Sequence, residues 1–245
     1  MEYIEKQLSD FQKKEYTDRE INSIGGKIAR YEAILVKLTK NRDQSKPLRI
    51  LDIGGGHGYF AKALRTHLKN IHLELFVLDI TEYDTKNELP EINFIKDSAF
   101  NAENHFTKDT FDIVFVTYTF HHLVQKTYKQ TIGGIKNCLT SIRNLLVPGG
   151  MLCISECNYY IPIINNLSSF LAYKVSTIRI PFISPFFRKL GIKSSGVGVC
   201  FMSLDKWKAL LIENGFVLLD IQENPIKTVR LTIKEHFFSL VASKA

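Results

Sequence analysis

The sequence predicts an α/β fold: a doubly wound sheet of seven strands, mostly parallel, with a C-terminal antiparallel hairpin and helices at the N-terminus. Three observations predict it. Short apolar runs of strand length alternate with segments whose apolar residues recur at helical spacing, the order that builds a parallel sheet covered on both faces. One of these runs, 111–117 (Phe-Asp-Ile-Val-Phe-Val-Thr), is apolar nearly throughout, as a strand buried on both faces must be. The first run, 48–53, leads straight into glycines at every other position, Gly54, Gly56 and Gly58, before a helical pattern begins. Strand, glycine turn and helix together let backbone approach a bound nucleotide, because a Cβ would block the ligand and such turns often need positive φ.

Composition narrows the class. The chain has 245 residues, 45% of them apolar, which suits one α/β domain with a full core and excludes a disordered chain. Residues 1–20 are rich in charge and lack the apolar core of a signal peptide. No uninterrupted apolar run reaches the ~18–20 residues of a membrane span. The four cysteines, Cys138, Cys153, Cys157 and Cys200, form no C-x-x-C and no cluster with histidine at zinc spacing. They read as buried thiols of a reducing, cytoplasmic compartment, and no metal is expected. The net charge of +7 favours anionic partners. It is not gathered into a basic run or an RNA-binding appendage, so nucleic acid is not the expected partner.

Taken in order, residues 1–46 read as a charged helical cap. Ile24, Ile28, Tyr31, Ile34, Leu35 and Leu38 repeat at helical spacing, Gly25-Gly26 marks a break before that helix, and Pro47 closes the segment. After the glycine turn a helix carries Phe60, Ala61, Leu64 and Leu68 on one face. The second strand, 72–80, ends in Val77-Leu78-Asp79. Asp79 stands near the ~20 residues past the turn at which a carboxylate accepts from both ribose hydroxyls; capping the strand end is its other reading. A third strand, 91–96, precedes Asp97-Ser98, where Asp97 either faces a ligand or caps the following turn.

The fourth strand runs into Tyr118-Thr119-Phe120-His121-His122-Leu123, at the carboxyl end of the sheet where open α/β folds bind ligands. Residues 127–146 form a helix with Ile132, Ile135, Leu139, Ile142 and Leu146 as its stripe, stopped by Val147-Pro148-Gly149-Gly150. A fifth strand is expected at 151–155. Residues 157–204 then change character. They hold no Asp or Glu but carry Lys174, Arg179, Arg188, Lys189 and Lys193 among many aromatics, and a lid over the site is expected at about 157–202. A helix at 204–213, capped by Ser203, leads to two last strands at 216–221 and 237–242. One domain, 47–245, thus follows the 1–46 cap.

Two ligand classes use such a glycine turn. Gly56 to Ala61 satisfies the alanine form of the dinucleotide fingerprint G-x-G-x-x-G/A. Asp52 to Gly58 satisfies D/E-x-G-x-G-x-G, and this string resembles motif I of the class I S-adenosylmethionine-dependent methyltransferases. Residues 111–123 are similar to that family's F-D-x-V-x-x-x-x-x-L-H-H-L, with Phe120 replacing the first Leu. Leu145 to Ile154 resembles its L-L-x-P-G-G-x-L-x-I, a string that a dehydrogenase gives no reason to expect. Ser203-Leu204-x-x-Trp207 followed by Leu210-Leu211-x-x-x-Gly215-Phe216 resembles its last helix and strand. The resemblance spans residues 24–243 and is to small-molecule members with a core like that of the ubiquinone and menaquinone methyltransferases.

That resemblance implies a Rossmann-like sheet, S-adenosyl-L-methionine as donor and S-adenosyl-L-homocysteine as product. It places Asp52, Gly54, Gly56 and Gly58 at the methionine part of the cofactor. Asp79 and Ile80 fall at the ribose, Asp97 and Ser98 at the adenine, and Thr117 at the cofactor, on the floor between it and the acceptor. Helices ahead of motif I cover the pocket in this family, and Arg30 and Tyr16 are placed to meet the cofactor carboxylate. For an acceptor that must lose a proton, His121 and His122 are the candidate bases, because imidazole titrates near neutrality; Glu156 is the third. Their structural readings are a packed histidine pair and a lid-anchoring salt bridge. An aromatic, cationic lid suits a small apolar or aromatic acceptor methylated at oxygen or carbon, or a lipid-like one at an anionic membrane. RNA methylation is an alternative, although an enzyme acting on base amino groups typically carries N/D-P-P-Y/F where Thr117-Tyr118-Thr119-Phe120 stands. A non-catalytic S-adenosylmethionine-binding protein is the other.

Overall fold

A computed structural model describes residues 10–40, 43–81, 87–162, 165–177, 198–230 and 233–244. The first helix, α1 (Asp10–Lys40), leads to β1 (Leu48–Ile53), and α2 (Tyr59–His67) follows the glycine turn. Then come β2 (Leu73–Asp79), β3 (Ile92–Lys96), β4 (Phe111–Thr117), α3 (Tyr128–Leu145) and β5 (Leu146–Tyr160). The chain ends with α4 (Asn165–Thr177), α5 (Leu204–Glu213), β6 (Phe216–Glu223), β7 (Lys227–Arg230) and β8 (Ile233–Lys244).

The strands form one sheet in the order β3-β2-β1-β4-β5-β8-β6, with β7 paired to β8 outside that path. From β3 to β5 neighbours are parallel, and β8 is antiparallel to both β5 and β6. The chain moves outward from β1 to β3 and returns to β4 on the other side of β1. This reversal leaves a crevice at the carboxyl ends of β1 and β4, the place where such sheets take ligands.

Side chains alternate between two cores, as the two-residue strand period requires. On one face Ile50, Phe115 and Cys153 pack with Tyr31, Leu35, Phe60 and Leu64 of α1 and α2. On the other, Leu51, Val116 and Ile154 pack with Ile135 and Leu139 of α3 and Trp207 and Leu210 of α5. Aromatic edges knit each layer: Tyr31 and Phe60 each stand 5.1 Å from Phe115, and Phe120 lies 5.0 Å from Trp207. At the start of α3, Thr127 and Gln130 form a reciprocal capping box, which satisfies backbone donors that the helix cannot.

Several boundaries differ from expectation. Gly25-Gly26 does not break α1; a Cβ on either glycine would meet nothing, and the buried packing of Tyr31 and Leu35 carries the helix. Leu146 leaves the helix and opens β5, which continues through Ser155 to Tyr160. Beyond the end of β4, β8 alone holds it, pairing from Met151 with Ser243 to Tyr160 with Lys234. β8 and β6 are longer than expected for the same reason, and β7 adds a short eighth strand to the seven. Of the expected lid, 157–160 belong to β5, α4 and 198–202 are also described, and 163–164 and 178–197, with Arg179, Arg188, Lys189 and Lys193, lie outside the described residues. The side chain of Tyr16 lies outside them too. Among the described residues no helix is long and apolar enough to cross a membrane.

Candidate active site

The glycine turn closes on the end of β2. Gly54, Gly56 and Gly58 have φ of 72°, 55° and 78°, and Gly54 N donates to Leu78 O at 2.7 Å. A Cβ on Gly54 would stand 2.2 Å from Thr119 Oγ1, and one on Gly55 2.5 Å from Asp52 Oδ2. The turn is thus wedged between the loop after β4 and the buried Asp52 carboxylate, with room for backbone only.

Asp79 is held against this turn. Its Oδ2 accepts from Gly56 N at 3.0 Å and its Oδ1 from Thr81 N at 2.9 Å. Residues 23 apart in sequence therefore form one wall, with Ile80 next to it. Asp97 N donates to Asp79 O at 3.0 Å, which continues the wall onto β3. The Asp97 carboxylate accepts from Ser98 N (2.6 Å), Asn101 Nδ2 (2.8 Å) and His105 Nε2 (2.7 Å). Burial raises its pKa, but these donors outweigh burial and hold the carboxyl below its usual range. The turn after β3 is capped by Ser98, whose Oγ accepts from Phe100 N, while Asp97 braces the same turn through Ser98 N and Asn101.

The end of β4 carries two features of different visibility. Thr117 is buried, and its Oγ1 has no hydrogen-bond partner among the described residues. Tyr118 was not singled out from the sequence. It adopts φ of 54°, costly for a bulky residue and typical of functional sites, and its ring stands edge-on to Phe237 at 5.9 Å. Burial raises the Tyr118 phenol, while a hydrogen bond and charge from Arg30 pull it down. Arg30 Nη1 also donates to Ser155 Oγ at 3.1 Å, and Tyr31 Oη lies 2.6 Å from the same oxygen. Consecutive residues of α1 thereby fasten the cap over the end of β4 and the stretch of β5 beside it. Arg30 thus lies against Tyr118 and Ser155 at the end of β4.

His121 and Glu156 meet. His121 Nδ1 is 2.7 Å from Glu156 Oε2, and Glu156 is 1% exposed. Cys157 N donates to the same oxygen at 3.3 Å, and His121 N donates to Oε1 at 3.4 Å. Glu156 therefore sits within β5 rather than at its end, and among the described residues its side-chain partner is His121. The chain leaving the insertion closes over His121: Cys200 N donates to its carbonyl at 2.8 Å, and Phe201 stands 5.2 Å from its ring. His122 lies beside it, ring centroids 4.1 Å apart. Burial and the charge of His121 hold the His122 pKa well below the usual value, so the two rings of the pair are not equivalent. Cys157 completes a buried trio with His121 and Glu156. The Nδ1 to Oε2 separation is that of a hydrogen bond, shorter than the ~3.3 Å between ligands on a tetrahedral zinc.

A mostly parallel sheet with this crevice, a glycine turn wedged on Asp52 and an acid from β2 bonded to that turn define a class I S-adenosylmethionine-dependent methyltransferase. A family model described as a methyltransferase domain matches residues 27–221, and the chain belongs to that family. Solved structures share the fold. The carbon methyltransferase CurJ is 18% identical, with a TM-score of 0.60 over 96% of this chain, which spans 60% of that one. The 1,6-didemethyltoxoflavin-N1-methyltransferase of Burkholderia thailandensis, crystallised with 1,6-didemethyltoxoflavin and S-adenosylhomocysteine, is 16% identical. Its TM-score is 0.58, covering 97% of this chain and 87% of that one. An S-adenosylmethionine-dependent methyltransferase from Methanosarcina mazei is 14% identical, with a TM-score of 0.59 over 84% and 96%. No curated protein matches the sequence.

Proposed function

We propose that this enzyme methylates a small apolar or aromatic acceptor at oxygen or carbon, with His121 as the base and Glu156 as its anchor. The observation that carries this reading is the buried contact between His121 Nδ1 and Glu156 Oε2 beside the carboxyl end of β4. A carboxylate so enclosed fixes the imidazole tautomer and stabilises its protonated form, leaving Nε2 to take a proton from the acceptor.

The residues present fit the donor. The turn admits close approach because a side chain there would collide with Thr119, and Thr117 Oγ1 is a buried polar atom that the protein itself does not serve. We assign Asp79 and Ile80 to the ribose, Asp97 and Ser98 to the adenine side, and Asp52, Gly54, Gly56, Gly58 and Arg30 to the methionine end, with Thr117 at the floor. S-adenosylmethionine supplies a methyl group on a positively charged sulfur, an electrophile already activated. The protein's tasks are to align the acceptor, exclude water and receive the proton, and alignment alone can supply ~7–11 kcal/mol of barrier lowering.

The small-molecule assignment draws support from the relatives, one a carbon methyltransferase and one solved with a small heteroaromatic ligand. The acid-free segment supports an apolar or lipid-like acceptor and contact with an anionic membrane surface. On α4, Leu167 and Leu171 are 49% and 39% exposed, one helical turn apart, with Lys174 on the same helix. The four cysteines are buried thiols, with Cys138 pushed up to about 12 by burial; this supports a cytoplasmic setting.

The test is transfer of labelled methyl from S-adenosylmethionine to separated metabolite, lipid and RNA pools, with Asp79→Ala as the blank. Label is expected in a small organic-extractable product, falling about 100-fold or more in His121→Gln while S-adenosylhomocysteine affinity holds. Label confined to RNA, or none above the blank, overturns the reading.

A further inference from the structure

Two buried polar side chains oppose each other at one rung of the sheet, and among the described residues neither Asn158 Oδ1 nor His236 Nε2 makes a hydrogen bond. Asn158 on β5 is 3% exposed, and its Oδ1 has no hydrogen-bond partner. Its register partner on β8 is His236, 8% exposed, whose Nε2 also lacks a hydrogen bond. Glu223 Oε2 lies 3.0 Å from that nitrogen but off hydrogen-bond alignment. Directly opposed residues of an antiparallel pair share a face, with Cβ atoms ~4.5–5.5 Å apart, so the two side chains are neighbours.

Their place on the sheet gives them a task. Side chains alternate along a strand, so Asn158 shares its face with Glu156, two residues back. Phe238, the register partner of Glu156, stands 5.4 Å from the His236 ring. The orphan pair thus lies one step beyond the proposed base and its anchor, on the part of β5 that extends past the end of β4. Native proteins rarely leave a buried acceptor unsatisfied, and where they do a ligand or an ordered water is the usual partner. The proton transfer described above uses neither residue.

We propose that Asn158 and His236 form the recognition point for the acceptor. Asn158 Oδ1 accepts a hydrogen bond from an O–H or N–H of that molecule, and His236 Nε2 contacts the same polar group, with Glu223 flanking it. The inference rests on the methyl-transfer reading and narrows the substrate class. Two residues along a strand span about 6.8 Å. We take that spacing as the scale between the donor that Asn158 meets and the end of the acceptor held beside His121 and Glu156, a length that one substituted aromatic ring spans.

The test uses the full chain saturated with S-adenosylhomocysteine and two rings that differ in the distal donor, 4-(hydroxymethyl)phenol and its methyl ether 4-(methoxymethyl)phenol. Calorimetry is expected to show the hydroxyl compound binding about tenfold tighter, the value of one well-made hydrogen bond in a buried site. Asn158→Leu is expected to abolish that preference while S-adenosylhomocysteine affinity is unchanged and the melting temperature does not fall. The His236 imidazole resonances are expected to move with the hydroxyl compound and not with the ether, a readout that needs no variant. Equal affinity for the two rings, a preference that survives Asn158→Leu, or no binding of either ring overturns the proposal; an internal water shared by Asn158 and His236 gives the first two results. Labelled methyl transfer in the wild type alongside any of these leaves the methyl-transfer reading standing, so the two fail separately.

Discussion

Glu156 owes its task to its surroundings. A carboxylate buried this deeply is costly unless donors surround it, and His121 Nδ1, His121 N and Cys157 N are its donors. Glu156→Gln keeps the shape but removes the charge that would stabilise a protonated imidazole. Methyl transfer is expected to fall about 10²–10⁴-fold with S-adenosylhomocysteine affinity retained, measured by initial rates and calorimetry; an unchanged rate would show that the pair is structural. His122 makes a separate prediction. Its folded pKa lies below the unfolded value, so the unfolded chain binds the extra proton. Stability is then full above the unfolded value of about 6.5 and declines as pH falls below it. Urea unfolding between pH 7 and pH 5 is expected to show this slope, and His122→Asn to flatten it. At this scale the sequence named His121, His122 and Glu156 as candidates, but not that His121 and Glu156 pair. His121 and His122 are adjacent and chemically identical on paper. Only the tight turn after β4 and a partner 35 residues away tell them apart, and Tyr118 gave no signal because its backbone conformation is not written in its side chain.

The glycine turn and the helix caps are where elements carry the account. Gly54→Ala must place a methyl group into Thr119 with the backbone at positive φ. A destabilisation of about 2 kcal/mol or more is expected, seen as a loss of at least about 4 °C in melting temperature, together with weakened S-adenosylhomocysteine binding. Thr127→Ala removes the capping box of α3 and is expected to cost about 1 kcal/mol with binding untouched, which separates a fold effect from a site effect. Elements made of continuous apolar residues were legible to their ends: β1 and β4 lie where the runs lie. β5 was not, because Glu156 and Asn158 interrupt its apolar pattern. Both are buried polar residues, one with its donors and the other with an unserved oxygen. The polar interruption that hid the strand is the part of it nearest the chemistry. Gly25-Gly26 misled for the opposite reason, since packing of α1 on β4 outweighed a local preference to break.

Across the whole molecule, the sheet separates two jobs. The side packed by α1 and α2 anchors the cap through Arg30, Tyr31, Ser155 and Ser239, and the other side carries Glu156 with the loop that returns over His121. The topology was legible because each string of the chain fits one unit of a doubly wound sheet; the contacts from Arg30 and Tyr31 to Ser155 join residues more than 100 apart, and no local pattern encodes them. Tyr31→Phe removes the buried link to Ser155 and is expected to cost about 1 kcal/mol and to weaken cofactor binding by loosening the cap. The central claim is that S-adenosylmethionine lies across the ends of β1 and β2, held by Asp79. Titration calorimetry of the wild type and of Asp79→Ala with S-adenosylhomocysteine and with NAD tests it directly. One equivalent of S-adenosylhomocysteine is expected to bind, NAD is not, and Asp79→Ala is expected to weaken binding about 10–100-fold, the value of hydrogen bonds to a charged group. Binding of NAD in place of S-adenosylhomocysteine, or an affinity indifferent to Asp79, would contradict it.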